Sequence, residues 1–452
     1  MKRSILWLRR DLRRADHPAL LTAAADGREV VPVFVLDPTL LSHAGAVRTA
    51  ALTAVLQATN ESYDGTLVIA DGDPVEVLPR LADAVGADQV VVSAETEPWG
   101  ASRDASVAQA LHEKGVALVA SGSPYILGPG TVLTQEGTGY KVFTPFARAW
   151  RDHPHPAPAE EPTDLRLTRA GLDSVDLPEP RAPFDLPALG EQAALARWAD
   201  FLDDGIADYA SDRDRADLAG TSQLSIHLKW GAIHPRTLLA DLRERADADA
   251  DGPQTFLTEL IWREFYADVL HRNPHSAHHD LTDALAGIRY DDLDEETFAA
   301  WAEGRTGYPF VDAGMRQLLA TGWMHNRVRM VTASFLTKDL HCWWPRGAAH
   351  FMAHLLDGDV ASNQHGWQWV AGTGTDASPY FRVFNPVTQG ERFDPDGAYV
   401  RRWVPELAHL PGKAAHQPWK HDEGYAKGYP LRLVDHAEER REALDRYEQA
   451  RS

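Results

Sequence analysis

The stretch from Trp323 to Pro386 brings together residue types that seldom share a core. It includes WMHNRVRM, TASFLTKDL and LLDGDVASNQHGWQWVAGTGTDASPYFRVFNP. Five tryptophans, Trp323, Trp343, Trp344, Trp367 and Trp369, lie among Asn326, Arg327, Arg329, Asp357, Asp359 and Asn363. Arginine is almost never buried without a partner, so this mixture departs from an ordinary apolar interior. Trp323, Asn326, Arg327 and Met330 fall at i, i+3, i+4 and i+7 and would share one helical face. An indole, an amide, a guanidinium and a thioether on one face make a wall for something flat, polar at its edges and partly anionic. A lone WxxN is more often a core helix whose arginines reach solvent. The Asp357/Asp359 and Asn363/Trp367/Trp369 segment close behind weakens that plainer reading.

A second stripe, Glu259, Trp262, Arg263 and Tyr266 in ELIWREFY, repeats the same spacing. It sets a carboxylate, an indole and a guanidinium side by side, as a salt-bridged structural helix also would. Thr221-Ser222-Gln223-Leu224-Ser225 is a hydroxyl-rich run expected to open a helix, where free N–H groups and hydroxyls suit a phosphate. Standing alone it is an ordinary cap. The DGD of Asp357 to Asp359 lacks the further oxygen ligands of a metal loop. HRNPHSAHHD, from His271 to Asp280, lacks the regular spacing of a zinc site. No metal is expected. No GxSxG, P-loop or GxGxxG motif occurs where chemistry would need it.

Two kinds of sequence must position these residues. Residues 1–125 alternate β-branched runs, Ser4–Leu8, Val30–Leu36, Thr66–Ala70, Gln89–Ser93 and Val116–Ala120, with amphipathic segments at Pro18–Ala25, Ala44–Thr59, Pro74–Val85 and Ser102–Lys114. This predicts an α/β N-terminal domain, a parallel five-stranded, Rossmann-like sheet with helices on both faces and right-handed crossovers. Asp73-Pro74 reads as an N-cap followed by proline at the first helical position. Residues 126–190, with HPHPAPAEEP and LPEPRAPFDLPALG, predict an extended interdomain connector, and Ala157–Leu189 a simple linker. From 191 to 452 strand signals vanish. A 3.6-residue period over Ala193–Asp204, Gln254–Leu270, Glu295–Glu303, Asp312–Ala320, Val328–Leu340 and Gly347–Leu356 predicts a larger all-helical C-terminal domain.

The 452 residues, 44% of them hydrophobic, suffice for two domains. No apolar run approaches a membrane span, and MKRSILWLRRDLRR reads as a strand rather than a secretory signal. The single cysteine, Cys342, excludes an internal disulfide and suits a cytoplasmic protein. A net charge of −21 argues against broad attraction to nucleic acid. The surplus acid, however, sits in runs such as Asp291 to Glu296, whereas Arg327, Arg329, Lys338 and Arg382 gather in the specific stretch, with Arg392 just beyond it.

At WMHNRVRM, DGDVASNQHGWQW and GTDASPYFRVFNP the sequence resembles the photolyase/cryptochrome flavoprotein family, closest to the class I cyclobutane pyrimidine dimer photolyases. The resemblance covers most of the chain and is weakest between about residues 157 and 191. It implies that the helical domain binds FAD. Tyr209, Thr221, Ser222, Gln223, Leu224 and Ser225 would meet its pyrophosphate, and Arg263 would face the flavin or its phosphates. Arg329 and Asp357 would pair beside the ring, Asp359 would accept from its N–H edge, and the Asn363 amide would meet its N5. Glu259 would hydrogen-bond lesion bases, with Trp262 and Trp369 as aromatic walls and Asn326, Arg327 and Met330 lining the pocket. Gln389 and Arg382 would touch the DNA backbone.

Trp367 and Trp344 match two members of the family's electron relay, but Tyr290 stands near the third position, where the family has tryptophan. His325 is not followed by the second histidine of the (6–4) photolyases. Glu97-Pro98-Trp99-Gly100 with Arg103-Asp104 resembles an antenna-side loop of deazaflavin-binding relatives. Deazaflavin is favoured over folate as a second chromophore, with an empty antenna site the alternative. In RRDLRRAD, His17 follows where asparagine is usual. The implied activity is light-driven repair of cyclobutane pyrimidine dimers in UV-damaged DNA, by electron transfer from fully reduced FAD to the flipped-out lesion. The protein would act as a monomer away from membranes. The alternative is a cryptochrome-type blue-light sensor that binds FAD and repairs nothing.

Overall fold

A computed structural model of the chain describes residues 2–247, 249–375 and 382–451. The DASPYF portion of GTDASPYFRVFNP therefore lies outside the described residues. The chain forms two compact units. One comprises Met1–Tyr140, Thr144–Ala207 and Ser222–Pro274; the other comprises Lys141–Phe143, Asp208–Thr221 and His275–Ser452.

The first unit is built on the expected parallel sheet. Strands β1 (Arg3–Leu8), β2 (Glu29–Leu36), β3 (Val68–Asp71), β4 (Ala87–Val92) and β5 (Ala117–Ala120) lie in the order β3-β2-β1-β4-β5. Alternate side chains point to opposite faces, and both faces are buried. Ile5, Trp7, Val31, Val33, Val90 and Val92 enter one core layer, while Leu6, Leu8, Val30, Phe34 and Val91 enter the other. Asp73 accepts from the Val75 N–H at 2.9 Å with Pro74 opening the helix. His17 caps the helix Pro18–Ala24, its Nδ1 accepting from the Leu20 N–H at 3.1 Å. The helix Pro38–Ser62 is longer than the predicted segment and has the length and hydropathy of a membrane span. Its Val55 and Leu56 nevertheless pack into the sheet's core, and Gly45 interrupts it at a positive φ.

The connector departs from the simple linker expected over Ala157–Leu189. Arg166–Leu167 forms β6, parallel to Glu29 and Val30 of β2. The Thr168 N–H donates to Val30 O, the Val175 N–H to Ile69 O, and the Ile69 N–H to Ser174 Oγ. The proline-rich flanks that suggested irregular chain hold no regular element. The segment between them finds unpaired backbone groups along β2 and β3, and composition does not report that opportunity.

Among the described residues of the second unit, every regular element is helical. Its core gathers Trp301, Tyr308, Phe310, Phe335, Trp344, Phe351 and Trp367. Gly314 lets the helix Pro309–Thr321 approach its neighbour, since a Cβ there would lie 2.3 Å from Val328 Cγ1. The predicted helix Val328–Leu340 is in fact two pieces, an α-helix Asn326–Ser334 and a π-turn Phe335–Asp339. Trp323, placed on that helix by its spacing, precedes it. His325 caps the helix with Nδ1 accepting from the Arg327 N–H at 3.2 Å, so helical geometry begins at Asn326.

Candidate functional site

In the second unit, Arg329 and Asp357 form an ion pair at 2.8 Å, and Arg329 Nε also donates to the Met324 carbonyl at 2.8 Å. The Asp357 side chain is 3% exposed. Its Oδ1 is buried and meets no donor among the described residues. A buried carboxylate oxygen without a donor is costly, which makes it a fitting acceptor for the N–H edge of a bound heterocycle. Asp359 caps the helix Val360–Ala371 through the Ser362 N–H at 3.0 Å. Asn363, one turn in, donates from Nδ2 to Ala348 O at 3.1 Å and Gln364 Oε1 at 2.8 Å. With its N–H groups so engaged, the Asn363 carbonyl oxygen is left to serve as an acceptor. These residues fit a flavin.

Along the same helix, Trp367 is buried edge-on to Phe351 and Trp301, at centroid distances of 4.9 and 6.1 Å. Gly347 makes room for it, because a Cβ there would lie 2.3 Å from the Trp367 ring. Trp344 is buried and donates from Nε1 to Asp280 Oδ1 at 2.6 Å. The exposed Trp343 meets Trp344 edge to face at 6.4 Å. Burial, then the charge of Asp280, raises the Tyr290 phenol above its ordinary pKa. Trp344 and Tyr290 thus both feel Asp280, the last residue of the histidine-rich segment from His271.

Trp369 and Met330 are half-buried against the core of this unit, and Asn326 is exposed. Arg327 donates to Asp214 at 2.9 Å and lies 4.6 Å above the Phe393 ring. Gln389 is half-buried on the helix Pro386–Phe393, and Arg382 is exposed. Tyr209 is buried, with the Arg213 guanidinium 5.9 Å from its ring. Burial drives the His325 imidazole down to about 4, so it is neutral at physiological pH.

The first unit holds the other stripe. Glu259, Trp262, Arg263 and Tyr266 are half-buried along the helix Asp251–Arg272, with Trp262 and Tyr266 at 5.3 Å. Arg263 donates to the Pro124 carbonyl at 2.9 Å and lies 4.4 Å above the Tyr125 ring, so its guanidinium anchors that loop. On the buried side of the same helix stand Glu264 and Asp268, one turn apart and absent from the sequence reading. Glu264 accepts from the Trp150 indole at 2.8 Å, the Leu127 N–H at 3.3 Å and the Ile126 N–H. Asp268 accepts from the Gly130 N–H at 2.7 Å and Arg272 at 2.8 Å. Two acids on the apolar side of an amphipathic helix were the available signal.

The hydroxyl-rich run leads into a helix as expected, but its hydroxyls do not cap it. Helix Ser225–Trp230 has Leu224 at its N-cap and no side-chain cap. Gln223 adopts a positive φ of 54°, and the Ser222 carbonyl accepts from Arg197 Nε at 2.8 Å. The positive φ turns the chain sharply, and a residue in that conformation cannot continue a right-handed helix, so helical geometry begins only at Ser225. Thr221 belongs to the second unit and Ser222 to Ser225 to the first.

At the carboxyl ends of β1 and β4, where strand order reverses, lie the residues of the antenna-like loop. Arg9 pairs with Asp104, and Arg10 with Glu97. The guanidinium groups of Arg9 and Arg103 lie 4.6 and 4.8 Å from the Trp7 ring, and Trp99 is exposed. A Cβ on Gly100 would lie 2.3 Å from Glu95 Cγ. Open α/β sheets place ligands at such a reversal.

Comparison with known proteins bears on both units. Residues 4–163 match the family model described as DNA photolyase, and residues 256–449 match the FAD binding domain of DNA photolyase. A deoxyribodipyrimidine photo-lyase of Vibrio cholerae is 38% identical over 467 residues, covering 99% of this chain and 99% of its own. A bacterial class III photolyase from Agrobacterium tumefaciens, known from its crystal structure, matches with a TM-score of 0.93 at 38% identity, over 100% of this chain and 98% of its own. A Synechocystis cryptochrome matches with a TM-score of 0.90 at 27% identity, over 98% of this chain and 99% of its own.

Proposed function

Because the chain belongs to the photolyase family, we propose that it repairs cyclobutane pyrimidine dimers in UV-damaged DNA, driven by light absorbed at reduced FAD. The observation that carries the reading is the buried Asp357 carboxylate, paired with Arg329 on one oxygen and meeting no donor among the described residues on the other, three residues before the helix that carries Asn363. When bound, FAD would supply the electron-transfer chemistry that opens the dimer's ring, so the bond chemistry would be the cofactor's.

The protein's part is to hold, orient and exclude water. Asp357 and Asp359 accept from the polar edge of the ring, Arg329 holds the Asp357 carboxylate in place, and the Asn363 carbonyl accepts at N5. Tyr209 and the segment Thr221, Ser222, Gln223, Leu224 and Ser225 hold the pyrophosphate. Glu259 hydrogen-bonds the lesion, Trp262 and Trp369 stack on it, and Asn326, Arg327 and Met330 line the pocket. A dimer already stacks poorly, so extruding it costs less than flipping intact bases. Arg382 and Gln389 contact backbone phosphates, which fix register without carrying sequence information. Trp367 and Trp344, with Tyr290 beside Asp280, pass electrons inward when the cofactor is oxidised. The β1/β4 cluster takes a deazaflavin if a second chromophore is present.

The test mixes reduced protein with dimer-containing oligonucleotide, in light and in darkness. Loss of dimers in the illuminated sample alone is expected. Flavin binding without any light-dependent loss would instead favour a sensor, the reading supported by similarity to the Synechocystis protein.

A further inference from the structure

Lys338 is 3% exposed in the π-turn Phe335–Asp339. Charged side chains are rarely buried so completely, and an ammonium in a poorly solvated site needs strong acceptors. Its Nζ donates to the backbone carbonyl of Arg382. Next to it, Ser334 Oγ accepts from the Phe384 N–H at 3.2 Å. The turn and the helix residue just before it therefore hold the backbone of Arg382 and Phe384 at two points. The next residue, Asn385, caps the helix Pro386–Phe393 by accepting from the Val387 and Thr388 N–H groups at 2.9 and 3.1 Å. That helix carries Gln389 and Arg392. A π-turn adds a residue within a helix and re-aims the side chains that follow, and such turns recur at functional sites.

We propose that Lys338 is a positioning residue for DNA binding: its buried ammonium, holding the Arg382 carbonyl, fixes the segment Arg382–Asn385 so that Arg382 and Gln389 meet the phosphate backbone. This rests on the DNA-repair reading above. Burial lowers the ammonium to about 7, with Asp339 opposing the shift. Among the described residues, further ionisable groups bear on Asp339. His436 of the helix His436–Arg451 hydrogen-bonds it, His341 lowers its pKa, and Glu439, itself paired with His341, raises it. Because the Lys338 pKa is lowered, the charged form prevails below about 7 and is lost as pH rises through that value.

The test measures binding of flavin-loaded protein to UV-irradiated and intact duplexes between pH 6 and 9, for the unaltered chain, Lys338→Met and Lys338→Arg. Unaltered protein should bind irradiated DNA more weakly as pH rises through about 7. Lys338→Met should bind roughly tenfold more weakly at the acid end, the scale of one lost charge-assisted hydrogen bond, and show little pH dependence. At saturating DNA its repair per absorbed photon should match the unaltered protein, which a general packing defect would not allow. Lys338→Arg should bind well and remain flat with pH; if it kept the original pH profile, His341 or His436 would be responsible and the proposal would fall. Undiminished binding by Lys338→Met would also overturn it. If Lys338→Met does not fold, the Arg variant and the unaltered pH profile decide. If unaltered protein shows no preference for irradiated DNA, the functional reading fails first and takes this inference with it.

Discussion

Trp262 carries opposite expectations under the two ways of explaining its stripe. As a core residue, its removal would weaken the whole protein, cofactor retention included. As an aromatic wall for an extruded base, its removal would act mainly on DNA. We expect Trp262→Ala to weaken binding of damaged DNA by roughly tenfold to a hundredfold, the cost of one lost stacking partner, with flavin content little changed. Parallel titration of DNA affinity and bound-flavin absorbance checks this, and equal losses would place the lesion elsewhere. The stripe was legible because it obeys a helical period. The ion pair of Arg329 with Asp357 was implied only through family resemblance, since no local pattern joins residues so far apart in sequence. Trp323 was misplaced for a different reason. Periodicity extends a helix until something stops it, and the His325 cap, a histidine in a role usually taken by smaller polar residues, gave no conventional start signal.

At the scale of elements, the helix Asp251–Arg272 works on two sides. Its half-buried stripe is the proposed lesion wall, and its buried side grips the loop at Ile126 and Leu127 through Glu264. Glu264→Ala would leave the Trp150 indole and two backbone N–H groups without their acceptor. We expect a loss of about 3 kcal/mol, given roughly 1–3 kcal/mol for each buried polar group left unpaired, with Glu264→Gln losing less. Amide exchange should quicken first at Ile126 and Leu127, which hydrogen exchange followed by mass spectrometry would reveal. The five parallel strands and most of the helices were plain in the sequence because each buries a regular period. β6 and the π-turn were not. One depends on a distant strand's unpaired edge, and the other is a register change that leaves hydrophobic periodicity nearly intact.

For the molecule as a whole, burial of neutral imidazoles sets an acid limit. His325, His350 and His365 are each pushed down from 6.5 to about 4, chiefly by burial. The unfolded chain then binds more protons than the folded one between these values, so their contribution is present above 6.5 and is lost as pH falls toward 4. Buried carboxyls such as Asp312, held above their ordinary range, act with the opposite sign. A single-site comparison isolates the effect. His350 stacks with His354 at 4.3 Å, and His350→Phe should reduce the fall in Tm between pH 6.5 and 4 relative to the unaltered protein. Thermal melts across that interval would detect the smaller slope; an unchanged slope would count against burial of a neutral ring at this site. None of this was legible from composition, which counts twenty histidines without saying which are enclosed.

The short strand β6 also bears on how the protein is made. The ribosome delivers Ala120, the end of the fifth strand, well before Arg166 and Leu167 arrive to pair with β2. During that interval the nascent sheet offers bare backbone to any passing extended chain, a recognised route to misassociation. Slow translation just after the fifth strand would prolong the hazard, and a nascent-chain chaperone that shields strand edges would have its greatest effect there.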